Sequence, residues 1–262
     1  MGAILTTFPI SDTLASSGLP TTLFRWGLIL GAVGMIAALG LKSPPMEGAG
    51  PKLAAARDVP PVDMLRHPIF WLMFVMMTLM STSGLMVTSQ LSAFAADFGV
   101  AKLVVWGMAA VPLALTIDRF CNGLTRPFFG WVSDRIGREN TMAIAFALEG
   151  LAMAAWLMTR TDPVLFVLLS GLVFFGWREI FSLFPSTLTD TFGPLHATKN
   201  YGVLYIAQGI GAIFGGPMAS LLHDATGSWL PVFGLAIAAD LITALLAIAV
   251  LKPMRARYLA TA

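Results

Sequence analysis

Asp118-Arg119-Phe120-Cys121-Asn122-Gly123-Leu124-Thr125-Arg126-Pro127-Phe128-Phe129-Gly130-Trp131-Val132-Ser133-Asp134-Arg135-Ile136-Gly137-Arg138 sets two arginines and an aspartate inside a segment long enough to cross a bilayer. It then closes in a tight, charged, glycine-bearing hairpin. Charge in hydrocarbon costs several kcal/mol or more, so such residues face a water-filled cavity, a partner or a substrate. A binding cavity is the expectation that follows.

The surrounding chain agrees with a membrane setting. Its 262 residues are 57% hydrophobic and only 11% charged, with a mean hydropathy of +0.80, far more apolar than a soluble domain needs. The net charge of +2 is too small to argue for nucleic acid, and the basic residues cluster between apolar segments instead of forming one face. The single Cys121 excludes an intrachain disulfide and reads as a small core residue. At the N-terminus no basic region of a signal peptide precedes the apolar run, which is broken at Pro9 and Asp12. That pattern reads as the end of a helix whose beginning is missing.

A helix needs roughly 20 apolar residues to span a bilayer. The candidates are seven: Leu23 to Leu41, Ile69 to Phe94, Val104 to Trp131, Thr141 to Met158, Pro163 to Phe184, Tyr201 to Leu222, and Trp229 to Leu251. The third is long enough to need tilt or a kink, for which Pro112 is available. Between the first two lies Lys42 to His67, with Pro44, Pro45, Pro51, Pro60 and Pro61 among scattered charges, a composition that cannot pack a core. The expected organisation is therefore a remnant over 1–41, a linker over 42–67, and a compact antiparallel six-helix bundle over 68–262. Lysine and arginine concentrate in the linker (Lys42, Lys52, Arg57, Arg66), in the loops with Arg135, Arg138 and Lys199, and in the tail (Lys252, Arg255, Arg257). Cytoplasmic loops carry that excess, so linker and C-terminus are expected inside and the N-terminus outside.

On the third span Arg119 falls near the bilayer centre and Arg126 roughly two turns closer to the cytoplasm, at about 1.5 Å per residue. Arg119, Gly123, Arg126 and Gly130 step by four, three and four and share one face. A guanidinium there can hold a carboxylate through two parallel hydrogen bonds. The alternative for Arg119 is an internal ion pair with Asp118, Glu149, Asp240 or Glu179; for Arg126 it is structural pairing or snorkelling. Tyr201, Tyr205, Gln208 and Ala212 repeat the same spacing on the sixth span and put two phenols and an amide on one face. Trp177 and Phe181 form a pair four apart on the fifth. Gly209 to Gly216 lacks the preceding strand that a dinucleotide site requires, and Gly211 with Gly215 reads as a close helix contact, as do Gly27 and Gly31. His67, His196 and His223 lie far apart at span ends, so no metal and no cofactor is expected. Glu149 and Asp240 fall near mid-membrane, where pairing with an arginine is preferred to a proton-relay role.

Gly130-Trp131-Val132-Ser133-Asp134-Arg135-Ile136-Gly137-Arg138 resembles the loop motif that major facilitator superfamily transporters carry between helices two and three and again between eight and nine. In that family the hairpin helps latch the cytoplasmic side, and the resemblance implies a gate role for Gly130, Asp134, Arg135, Gly137 and Arg138. Asp118 to Asn140, Phe184-Pro185 with Asp190-Thr191-Phe192-Gly193, and Asn200-Tyr201-Gly202-Val203-Leu204-Tyr205-Ile206-Ala207-Gln208-Gly209 widen the similarity to the oxalate/formate antiporter family. The fold implied is all-α integral membrane, the C-terminal six-helix bundle plus one helix of the N-terminal half. The spans then correspond to helices six through twelve and Met1 to Ser16 to the end of helix five, with the earlier helices missing. Family members hold oxalate between an arginine on helix eight and a lysine on helix eleven. The arginine maps onto Arg119 or Arg126, while Gln208 stands at the lysine position. One cation compensates a dianion poorly, so formate or another small carboxylate fits as well as oxalate.

The expected role is thus a secondary transporter of small organic anions in the cell (inner) membrane, not an enzyme, with Arg119 as the main anion contact. Gln208, Tyr205 and Tyr201 would orient the anion, Trp177 and Phe181 would form a hydrophobic wall, and upstream helices would complete the site. A seven-helix photoreceptor built on a Schiff-base lysine is disfavoured, since the last span has no lysine before Lys252. A membrane scaffold without transport is the remaining rival.

Overall fold

The computed structural model describes residues 2–41 and 58–261. Most of the expected linker, 42–57, lies outside the described residues. The chain divides into two units, Met1–Ala54 and Ala55–Ala262.

In the first unit, α1 (Gly2–Leu39) is two helices merged across Gly18, whose φ of 74° and ψ of 170° are not helical. Thr22 Oγ1 donates to the Gly18 carbonyl at 2.7 Å, and Trp26 Nε1 donates to Thr13 Oγ1 at 3.3 Å across the break. Large apolar side chains after the break, such as Leu23, Phe24, Leu28 and Ile36, are exposed within this chain.

The second unit is built of α2 (Pro61–Met64), α3 (Pro68–Ser89), α4 (Leu91–Asp97), a two-stranded turn β1 (Val104–Val105) with β2 (Met108–Ala109), and α5 (Ala110–Ile136). There follow α6 (Arg138–Met158), α7 (Pro163–Trp177), α8 (Ile180–Phe192), α9 (Ala197–Leu204), α10 (Ile206–Thr226), α11 (Leu230–Leu246), a π-helical turn (Ala247–Leu251) and α12 (Lys252–Ala260). Among the described residues six helices are long and apolar enough to cross a membrane: Ser16–Leu39, Pro68–Ser89, Arg138–Met158, Pro163–Phe192, Ala197–Thr226 and Leu230–Ala260. The 27-residue α5 is long enough, but Asp118, Arg119, Arg126, Asp134 and Arg135 keep it outside those six. This is a multi-pass, all-α membrane protein.

The third expected span needs correction. Val104 and Val105 belong to a hairpin turn with Trp106 at φ 49° and Gly107 at φ 82°, so the helix begins only at Ala110. Pro112 then sits in the first turn, where its missing N–H costs nothing; the interior proline is Pro127. Other spans are composite: Gln90 breaks the second, Arg178 and Glu179 the fifth, and Tyr205 the sixth.

Within this unit α3 packs on α10 and α11, α6 on α7 and α11, and α5 on α7. Glycine permits the closest approaches: a Cβ on Gly215 would come 2.8 Å from the Leu85 Cβ, and one on Gly211 would run into Ser81. One apolar cluster gathers Met73, Met80, Phe146, Phe184, Leu204 and Leu251; the other surrounds Phe94, whose ring lies 5.2 Å from those of both Trp156 and Phe233. At the start of the unit, Val59 N–H donates to Phe192 O at 2.8 Å and Asn200 Nδ2 to Val59 O at 2.9 Å, which ties the end of the linker segment to the α8–α9 connection.

Candidate functional site

The guanidinium of Arg126 lies over the Phe181 ring, 5.1 Å from its centre. Phe181 stands 6.1 Å from Tyr205, Tyr205 stands 5.6 Å from Tyr201, and the Arg126 charge reaches the Tyr201 phenol. Elements α5, α8 and α9 thus bring four of the sequence-derived residues into one cradle. The face of α5 that carries Arg126 is open: among the described residues nothing lies within 4 Å of a Cβ built on Gly123 or Gly130. The same holds for Gly202 and Gly209 beside Tyr201, Tyr205 and Gln208. A flat aromatic surface beneath a guanidinium holds the cation by its quadrupole and leaves the N–H edges available to an anion.

Gln208 accepts a hydrogen bond on Oε1 from the Ser81 hydroxyl of α3. That bond orients the amide, so its N–H end becomes the donor end. Trp177 is turned into the core, 3% exposed, with Nε1 donating to Met80 O at 3.1 Å. It stands 6.4 Å behind Phe181 and fills the space that Gly84 leaves on α3. Phe181 is the member of that pair that meets the arginine.

Arg119 is half-buried and attracts the carboxylate of its neighbour Asp118. Asp118, however, accepts its hydrogen bonds from Arg178 Nη2, at 3.1 and 3.2 Å. Sequence reasoning did not single out Arg178. Its signal was a charge within Gly176-Trp177-Arg178-Glu179, in the middle of what looked like a continuous span. The expected pairing of Glu149 and Asp240 with an arginine is overturned. Both are fully buried, and their carboxyl oxygens have no hydrogen-bond partner among the described residues. Arg138, Arg178 and Arg255 end instead on Asp118, Asp134, Asp190 and Glu139.

The hairpin between α5 and α6 turns at Gly137, whose φ of 88° is strained for any residue with a Cβ. Arg138 binds Asp134 at 2.7 Å and Asp190 of α8 at 2.8 Å, and donates to the Ser133 hydroxyl. Next to it, Arg255 of α12 binds Glu139 at 2.6 Å and donates to Thr191 Oγ1 at 2.7 Å. Arg135 lies 3.9 Å over the Trp131 ring and stays exposed. Asp134, Arg138 and Asp190 therefore link three helix ends, while Gly130 stays open. At the opposite helix ends an open pocket of about 480 Å³ is lined by Asp97, Arg160, His223 and Trp229, with Trp229 Nε1 donating to Asp97 at 2.7 Å. Among the described residues no group of three or more His, Cys, Asp or Glu is placed to hold a metal ion.

A family profile described as Major Facilitator Superfamily matches residues 106–260. The oxalate:formate antiporter of Oxalobacter formigenes is 29% identical over 215 residues, 81% of this chain and 50% of that protein. An uncharacterized MFS-type transporter of Escherichia coli (strain K12), YhjX, is 28% identical over 219 residues, 81% of this chain and 52% of its own length. Human protein spinster homolog 3 is 29% identical over 118 residues, 45% of this chain and 23% of that protein. The chain spans about half the length of the first two relatives.

Proposed function

This chain belongs to the major facilitator superfamily, and on that premise we propose that it forms the anion-binding half of a secondary transporter for small carboxylates of the oxalate and formate class. The observation that carries this reading is Arg126 laid on Phe181 beside Tyr205 and Tyr201, on a helix face with nothing packed on Gly123 or Gly130 among the described residues.

In this mechanism Arg126 is the main anion contact, in place of the deeper Arg119, which adds to the positive potential along α5. The anion's two oxygens meet the guanidinium edge, and the phenols of Tyr201 and Tyr205 with the Gln208 amide supply the orienting hydrogen bonds. Trp177 keeps Phe181 in place from behind. A second set of helices, from upstream of this sequence, closes the other side of the site, and the two bundles rock about the bound anion. Asp134, Arg135 and Arg138, with the turn at Gly137 and the small Gly130, form the cytoplasmic latch. Gln208 at the position of a second cation suits a monoanion such as formate at least as well as oxalate, because one guanidinium balances one charge.

The test is counterflow of labelled formate and oxalate in proteoliposomes carrying this chain with its N-terminal partner helices. Gln208→Lys is expected to raise oxalate exchange relative to formate. Counterflow of both anions that is untouched by Arg126→Gln would sink the site, and the absence of any carboxylate counterflow would sink the function.

A further inference from the structure

The open pocket of about 480 Å³ at the helix ends remote from the α5–α6 turn shares no residue with the anion cradle, and α6 carries the chain roughly 30 Å from Arg138 to reach it. Its walls come from three places. Asp97 and Phe98 end α4, Leu157 and Arg160 end α6, and His223, Trp229 and Leu230 flank the turn from α10 into α11. Gly227, at φ 64°, takes the left-handed backbone of that turn, which lays the Trp229 ring on the His223 imidazole with 4.1 Å between centres and 23° between planes. Trp229 Nε1 donates to Asp97 Oδ2 at 2.7 Å, and His223 Nε2 stands 3.2 Å from the same oxygen. The carboxylate is thus fixed through one oxygen, while Oδ1 has no partner among the described residues.

Arg160 is the second fixed charge. Its Nη1 donates to Leu157 O at 2.8 Å and its guanidinium lies over the Phe98 ring, 5.6 Å from the centre, yet Arg160 makes no ion pair among the described residues. Asp162, two residues on, is occupied in capping α7: its Oδ1 accepts from the Val164 and Leu165 N–H groups at 2.9 and 3.0 Å. Asp224 lies 3.7 Å from His223 Nδ1, is 78% exposed and stands outside the pocket wall. With the imidazole neutral, the wall therefore carries one negative and one positive charge that do not bond each other. A plain anion would be repelled by Asp97 and a plain cation by Arg160, whereas a ligand with both charges satisfies each. A quaternary ammonium would need an open aromatic face, but Trp229 is 5% exposed with His223 on its ring, and Phe98 lies between Arg160 and Phe94. The ammonium that fits is one with N–H groups to donate to Asp97.

We propose that this pocket binds a free amino acid as its zwitterion, with the carboxylate on Arg160, the ammonium on Asp97 Oδ1 and an apolar side chain against Leu157 and Leu230. Its volume falls within the range of about 300–1,000 Å³ common to small-molecule sites. The bound molecule bridges the end of α4 to the connection that follows α6. This site stands on its own geometry and does not depend on the anion-transport reading.

Equilibrium binding of L-phenylalanine to the protein in lipid nanodiscs tests the proposal, beside two isosteres: 3-phenylpropionate, which lacks the ammonium, and phenethylamine, which lacks the carboxylate. L-phenylalanine should bind saturably with a Kd of about 1 mM or below and raise the thermal midpoint, and each isostere should bind at least about tenfold more weakly. Arg160→Gln and Asp97→Asn should each weaken L-phenylalanine at least about tenfold, and Arg160→Lys should recover part of the loss. The amide oxygen of Asp97→Asn can still accept from Trp229 Nε1, so its loss of binding at an unchanged melting temperature reads the charge and not the fold. No saturable binding up to about 10 mM overturns the site. So does an isostere or glycine betaine that binds as tightly as L-phenylalanine, or L-phenylalanine binding that is indifferent to both substitutions.

Discussion

Arg178 spends its terminal nitrogen on Asp118, 3.1 Å away, across the packing of α5 on the junction between α7 and α8. Asp118 thus has Arg178 as its hydrogen-bonded cation while it also feels the charge of Arg119. Both side chains are mostly enclosed, so loss of one leaves an uncompensated charge that costs more than the pair itself contributes. Asp118→Asn should lower stability in detergent by about 2 kcal/mol, and adding Arg178→Gln should recover most of the loss. Thermal unfolding of the two singles and the double forms the cycle; strictly additive losses would mean that the pair does not couple.

The cradle makes a graded forecast for Arg126. Removing a guanidinium that meets an anion edge-on costs about 2 kcal/mol or more, so Arg126→Gln should reduce formate counterflow at least about thirtyfold. Arg126→Lys keeps the charge but loses the planar fork and should recover only part of the rate. Phe181→Ala removes a support worth about 1 kcal/mol and should cost about fivefold. An Arg119→Gln effect larger than that of Arg126→Gln would return the main contact to the deeper arginine.

How much of this was legible in the sequence depends on the kind of interaction. Hydropathy located the six helices that are long and apolar enough to cross a membrane among the described residues, because burial in lipid is a property of composition summed over a whole span. It misplaced the start of α5, since Val104 and Val105 are as apolar in a hairpin as in a helix, and only the backbone at Trp106 and Gly107 distinguishes the two. Tyr201 and Tyr205 stay 5.6 Å apart at the break on Tyr205, yet Phe181 beside Tyr205 and Ser81 on Gln208 come from other helices and no spacing names them. The pairing of Glu149 and Asp240 failed for a related reason. Counting arginines against acids ignores distance, and Arg178 lay near Asp118 instead.

Gly84 illustrates a contact that no pattern encodes. A Cβ there would overlap the indole of Trp177, whose Nε1 is already fixed on Met80 O at 3.1 Å. Overfilling so tight a contact costs about 1–3 kcal/mol, so Gly84→Ala should lower the thermal midpoint clearly. Gly234→Ala on α11 meets nothing within 4 Å among the described residues and should stabilise by up to about 1 kcal/mol through helix propensity. Equal midpoints for the two variants would contradict the packing. Because Trp177 backs Phe181, Gly84→Ala should also depress counterflow, whereas Gly234→Ala should not.

The latch between helix ends separates stability from gating. Arg255 and Glu139 are both well enclosed and lie 2.6 Å apart, whereas the Asp134 side chain that meets Arg138 is 67% exposed. A charge-assisted bond between enclosed partners contributes about 2 kcal/mol, while an exposed ion pair contributes at most about 1 kcal/mol. Arg255→Ala should therefore destabilise the bundle in detergent, and Asp134→Asn should leave its melting temperature nearly unchanged. Asp134→Asn nevertheless loosens Arg138, the residue that joins the α5–α6 turn to Asp190. Its effect should appear in the rate of exchange and not in the affinity for formate. Cysteine accessibility at Gly130, compared between Asp134→Asn and wild type, measures that loosening directly, and equal labelling rates would remove Asp134 from the gate.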